Sequence, residues 1–217
     1  MRFVPSRTER ESAVRQATRL MVVAHPDDET FWGGGTLACG TDWAVICLTH
    51  GGNRVRRRAL RHAMRVLRTP FVMWDLPDRR EHAVPPSDQT WISDRLGALV
   101  NADHVEHVMT HGPDGEYGHP LHKVVNSVVT NVCNDRERLW YFNFDEDFDL
   151  ELHNPVAWNL KRQAVSCYLG SDIVSWSPTD RCHVDLGRYE SPVRAQDYKR
   201  PLQLISRTYE PSGMVIT

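Results

Sequence analysis

From Arg19 onward, short continuous apolar runs alternate with longer stretches in which apolar residues recur every third or fourth position. The first pattern suits strands covered on both faces, and the second suits helices with one buried stripe. Strands are predicted at residues 20–24, 43–48, 71–74, 105–110 and 139–142, and helices at 31–39, 54–67, 88–101, 119–133 and 155–167. Such β-α alternation predicts an α/β fold, Rossmann-like, with a mostly parallel sheet flanked by helices. After Leu169 the pattern fades, and only residues 173–176 and 214–216 read as further strands. Gly33, Gly34 and Gly35 suit a close backbone approach at the start of the first helix, but they lack the spaced-glycine fingerprint of a dinucleotide site.

The length of 217 residues with 41% hydrophobic content fits a single domain, 1–217, with a core at about 19–170 and an N-terminal extension at 1–18. That extension is charged throughout and lacks a signal-peptide block, and no later segment reaches membrane-spanning length. A soluble, cytoplasmic protein is therefore expected. The five cysteines (Cys39, Cys47, Cys133, Cys167, Cys182) are scattered and form no Cys-x-x-Cys pair, which favours a reducing compartment and argues against a thiolate metal site. A net charge of -2 conceals a basic stretch at 54–68 and an acidic one at 145–151. The basic stretch lacks interleaved aromatics, so it is read as a solvated helix face and no nucleic-acid partner is expected.

Candidate chemistry collects where an open parallel sheet places its ligands, at the carboxyl ends of the strands. His25-Pro26-Asp27-Asp28-Glu29 follows the first strand, His50 the second, Asp75 and Asp78 the third, and the segment 111–122 the fourth. His25 and Asp28, separated by two residues in a loop stiffened by Pro26, can converge on one cation while Asp27 points elsewhere. His122 is the third candidate ligand, because His119 and His122 share a face at the start of a predicted helix. The positive end of that helix disfavours imidazolium and keeps both rings able to coordinate or accept. Two histidines and a carboxylate, with water in an open position, make a catalytic zinc sphere rather than a structural one. Asp27 is then the candidate general base, and His119 the candidate oxyanion stabiliser or proton donor. The same residue types also begin helices: Asp27, Asp28 and Thr30 could cap the one that follows, and His119 could be a simple helix-start residue.

Ala24-His25-Pro26-Asp27-Asp28-Glu29, the Gly-Gly-Thr-Leu-Ala run at residues 34–38, and Gly118-His119-Pro120-Leu121-His122 closely resemble the LmbE-like, or PIG-L, deacetylases, over about residues 20–133. The resemblance implies His25, Asp28 and His122 as zinc ligands, Asp27 as the base, and His119 as an aid at the oxyanion and leaving group. It also implies substrate contacts by Arg56, Asp78 and Tyr117. Two departures stand out: Leu121 replaces an aspartate common in the family, and Ala59 stands where glutamate is often found. The activity implied is zinc-dependent deacetylation of an N-acetyl amino sugar or N-acetylglucosaminyl conjugate, with Fe2+ as an alternative metal. A non-catalytic sugar- or nucleotide-binding module and a non-haem iron enzyme are the competing readings. Neither the sugar nor the oligomeric state follows from the sequence.

Overall fold

A computed structural model describes residues 7–78, 84–143, 148–168 and 187–198. The strands β1 (Arg19–Val23), β2 (Trp43–Thr49), β3 (Phe71–Leu76), β4 (His107–Thr110), β5 (Leu139–Tyr141) and β6 (Val193–Arg194) form one sheet in the order β3-β2-β1-β4-β5-β6. Neighbours pair in parallel except β5 with β6, which are antiparallel. All five predicted strands are present, with ends displaced by two residues at most. The helices are α1 (Arg7–Gln16), α2 (Asp28–Phe31), α3 (Gly34–Cys39), α4 (Arg54–Val66), α5 (Pro86–Val100), α6 (Gly115–Gly118), α7 (Pro120–Val132), α8 (Leu150–His153) and α9 (Pro155–Ser166).

Alternation along the strands sorts their side chains into two cores. Leu20 and Val22 of β1, with Ala44, Ile46 and Leu48 of β2, join one cluster; Met21, Val23, Val45 and Cys47 join the other. The first is covered by α5 and α7 through Ile92, Leu96, Val125 and Val129, and the second by α4 and α9 through Leu60, Met64 and Val165. Right-handed crossovers account for this division. The chain moves from β1 to β2 and β3 in one direction, then resumes at β4 on the other side of β1, so α5 and α7 land on the face opposite α4, while α9, which follows β5, packs beside α4 on the second face.

Three features add to these expectations. Within the expected N-terminal extension, α1 buries Val14, and Ala17 just beyond it, in the first core. The helix predicted at 31–39 is divided into α2 and α3 around Trp32 and Gly33. The short strand β6 is additional, while the possible strands at 173–176 and 214–216 lie outside the described residues.

The glycine run explains the division. A Cβ at Gly33 would stand 2.5 Å from the Met21 side chain, one at Gly34 would stand 2.9 Å from that of Lys161, and one at Gly35 would meet Leu150 and Glu190. Into this closely packed turn reaches Glu190, whose carboxylate accepts from the amides of Gly35 and Thr36 at 2.7 Å each and from the Thr36 hydroxyl. Lys161 Nζ donates to the same carboxylate at 2.6 Å, and both side chains are almost wholly buried. Removing one member of a buried pair strands the other charge. Lys161→Met is expected to destabilise the fold by about 3–5 kcal/mol, read from the denaturation midpoint in urea, with much of the loss recovered in the Lys161→Met/Glu190→Gln double variant.

Candidate metal centre

Because strand order reverses at β1, its loop and the loop after β4 face one another across the carboxyl edge of the sheet, the place where such sheets bind ligands. The β1 loop supplies His25, Asp27 and Asp28; the segment after β4 supplies His111, Glu116, Tyr117, His119 and His122. His25 Nδ1 lies 3.2 Å from His122 Nε2, and Asp28 Oδ2 lies 3.3 Å from each of these nitrogens. Ligands on a tetrahedral ion with bonds of about 2.0–2.1 Å are separated by about 3.3 Å. The three expected ligands thus form a triangle of the right size.

Hydrogen bonds on the outer side of these rings determine which nitrogens face inward. His122 Nδ1 lies 2.6 Å from Glu116 Oε2, and a carboxylate only accepts, so Nδ1 bears the proton and Nε2 turns its lone pair toward Asp28. His25 Nε2 lies 3.4 Å from Asp78 Oδ1, leaving Nδ1 toward the triangle. Asp28 Oδ2 also accepts from the His25 amide at 2.7 Å, while Oδ1 accepts from Trp32 Nε1 at 3.2 Å. Converging lone pairs call for a proton or a cation between them. Burial opposes charge on His25 and His122, but the carboxylates, led by Asp28, outweigh it and raise both pKa values. Burial likewise opposes ionisation of Asp28, but His122 and His111 hold it well below the carboxylate range.

Asp27 stands apart from this set. It occupies the position before α2 with φ 144° and ψ -33°, and its side chain makes no capping bond. Such a backbone costs about 1–3 kcal/mol and is held by its neighbours: Glu29 Oε2 accepts from the Asp27 amide, while Tyr168 and Thr30 donate to Glu29 Oε1. Burial, and after it Asp28, raises the Asp27 pKa well above the ordinary value, opposed by His25 and Arg56. The simple capping reading of Asp27 therefore does not describe its side chain.

His119 does act as the N-cap of α7, its Nδ1 accepting from the Leu121 amide at 3.2 Å. A neutral ring so placed carries its proton on Nε2. Burial, reinforced by His122 and His25, pushes its pKa down to about 4. Its ring packs edge-on to His25 at 4.8 Å and stacks on His122 at 4.5 Å.

The three residues that the family resemblance implied as substrate contacts lie around this centre. Arg56 is the buried arginine near the start of α4, and its charge acts on Asp27. Tyr117 packs near Trp32, His119 and His122. Asp78 faces inward, its two oxygens within 3.4 Å of His25 Nε2 and 3.2 Å of His50 Nε2.

One participant, the buried Glu116, escaped the reading from sequence. His111, which the sequence placed with the candidate chemistry after the fourth strand, packs its ring 3.9 Å from that of His122. Although His111 lies near the triangle, its Nε2 accepts from the Ala24 amide at 3.0 Å and its Nδ1 bonds Glu116 Oε2 at 2.8 Å. Against burial, Glu116 and Asp28 push the His111 pKa up to about 9, but the Ala24 amide aimed at Nε2 requires that nitrogen to be unprotonated. The hydrogen-bond geometry is thus that of a neutral His111 with no lone pair left for a metal. A charged residue between Gly115 and Gly118, both at positive φ, was the available signal for Glu116.

The chain is similar to an uncharacterised protein of Acanthamoeba polyphaga mimivirus, 27% identical over 61% of this chain and 64% of that protein. It is also similar to a 1D-myo-inositol 2-acetamido-2-deoxy-alpha-D-glucopyranoside deacetylase of Saccharopolyspora erythraea, 30% identical over 48% of this chain and 49% of the relative. It therefore spans between about half and two thirds of the length of these curated relatives. The same fold occurs in the N,N'-diacetylchitobiose deacetylase of Pyrococcus horikoshii (TM-score 0.54, 14% identity, 94% of this chain and 99% of that one). It occurs again in a deacetylase of teicoplanin biosynthesis (TM-score 0.56, 15% identity, 83% of this chain and 100% of that one). The family model described as GlcNAc-PI de-N-acetylase matches residues 20–133, more than half of the sequence and the whole stretch from β1 to the end of α7, and the chain belongs to that family, PIG-L.

Proposed function

We propose that this protein is a zinc-dependent deacetylase that hydrolyses the N-acetyl group of an amino sugar or an N-acetylglucosaminyl conjugate, releasing acetate and a free amine. The observation that carries this reading is the triangle of His25, Asp28 and His122 donor atoms, with the Asp27 carboxylate, which makes no capping bond, between two of them in the chain. Family membership and the amino-sugar deacetylases among its relatives support the substrate class. His25, Asp28 and His122 would hold a divalent cation, which when bound would supply Lewis-acid activation of water and of the acetamide carbonyl.

The chain's own groups account for the proton movements. Asp27 accepts a proton from the attacking water, and the carboxylic acid so formed is the source of the proton for the departing nitrogen. His119, with Nδ1 occupied by the Leu121 amide, directs Nε2–H at the developing oxyanion. Arg56, whose charge acts on Asp27, and Tyr117, which packs edge-on to His119, are assigned to sugar recognition. Asp78 is assigned first to orienting His25, with any sugar contact made alongside that role. The donor set also accepts Fe2+, so the native metal is decided by elemental analysis. No helix among the described residues is long and apolar enough to cross a membrane. The scattered cysteines, four of them free in the described structure, support a cytoplasmic site of action.

Zinc at about a hundred times its Kd is expected to stabilise the wild-type protein by about 2.7 kcal/mol, seen as a rise in Tm; Asp28→Ala should show no such rise, and an equal rise in both would remove the triangle from consideration. Acetate release from a panel of N-acetylated sugars and glycosides should depend on added metal and fall about 10²–10⁴-fold in Asp27→Asn. Full metal loading with no turnover across a broad panel would favour a binding module.

A further inference from the structure

We infer that Glu116 is a positioning residue that fixes the metal-binding form of His122 and ties together the two loops that supply the ligands. The inference rests on the metal-centre reading above. Glu116 Oε2 lies 2.6 Å from His122 Nδ1 and 2.8 Å from His111 Nδ1, and Oε1 accepts from the Gly112 amide at 2.9 Å. Every one of these partners is a donor, as an ionised carboxylate requires.

The connection extends across the sheet. His111 Nε2 accepts from the Ala24 amide, at the carboxyl end of β1 and immediately before His25. One chain of bonds thus runs from the β1 loop through His111 and Glu116 to His122 on α7. It aligns the two ligand-bearing segments while keeping the Nε2 lone pair of His122 directed at Asp28. A histidine ligand commonly has a carboxylate behind it, setting its tautomer and strengthening its donor nitrogen.

Position 121 does not offer that carboxylate here: Leu121 is 3% exposed and packs in the core with Val125 and Val129. The acid instead comes from the turn before α7, where Glu116 adopts φ 56° and ψ -78°. A non-glycine residue in that conformation is costly, and its three bonds to the surrounding donors hold it there.

The test compares wild type, Glu116→Gln and Asn126→Ala as zinc-loaded protein. Asn126 donates to the His111 carbonyl at 2.8 Å, so its variant weakens the same segment without touching the carboxylate. In Glu116→Gln, an amide group facing a ring Nδ1 or the Gly112 amide opposes donor to donor, or turns the ring's proton onto Nε2. Zinc affinity, measured by competition with a chromophoric chelator, is expected to fall about 10–100-fold. The visible spectrum of the cobalt-substituted protein should also shift, and the Nδ1–H correlation of His122 in 15N NMR should be lost. Asn126→Ala is expected to lower the denaturation midpoint while keeping wild-type affinity, cobalt spectrum and Nδ1–H correlation. Wild-type affinity and spectrum in a folded Glu116→Gln protein would overturn the inference while leaving the metal centre standing. Failure of the wild type to take up zinc or cobalt would overturn both.

Discussion

The parallel pairing of β1 with β4 is the constraint on which the rest of the structure depends. Leu20 opposite Val108 and Val22 opposite Thr110 bring together strands separated in the chain by two β-α units. This pairing reverses the direction of strand addition and sends α5 and α7 to the face opposite α4. It also sets two loops across a single crevice. His25 and Asp28 come from one loop, and His122 from the helix after the other. A slip in this register would separate the donor atoms whose spacing makes the centre.

Around that crevice, polar groups of limited individual strength become specific through their hydrogen-bond partners. Imidazole can donate or accept at either nitrogen, and the alternatives are resolved by Glu116 behind His122, Asp78 behind His25, the Leu121 amide at His119 and the Ala24 amide at His111. The result is a division of labour among histidines of the same chemical type: two turn lone pairs inward, one retains an inward donor, and one is occupied on both sides. Their different environments separate these roles despite the small distances between the rings.

Much of this arrangement was legible in the sequence. Strands covered on both faces announce themselves as continuous apolar runs, and His25-Pro26-Asp27-Asp28 and His119-Pro120-Leu121-His122 concentrate ligand chemistry in short strings. The less legible parts depend on single side chains meeting partners far away. Glu116 could have been an ordinary solvated acid, since its partners follow from a turn whose backbone is unusual for glutamate. The helix α1 was obscured by its charges, because among the described residues Val14, with Ala17 just beyond the helix, marks its attachment to the core. Strand β6, only two residues long, has too little pattern to reveal itself.

Glu190 places a constraint on the order of assembly. It caps Gly35 from 155 residues farther along the chain. During synthesis β1 can begin pairing with β2 long before that carboxylate exists, so the first turn of α3 must wait with its amides served by water. Its final enclosure belongs to a late stage of folding, after most of the chain has emerged. A protein truncated before residue 190 could therefore retain the motif of the candidate centre while lacking the anchor that closes the layer behind it.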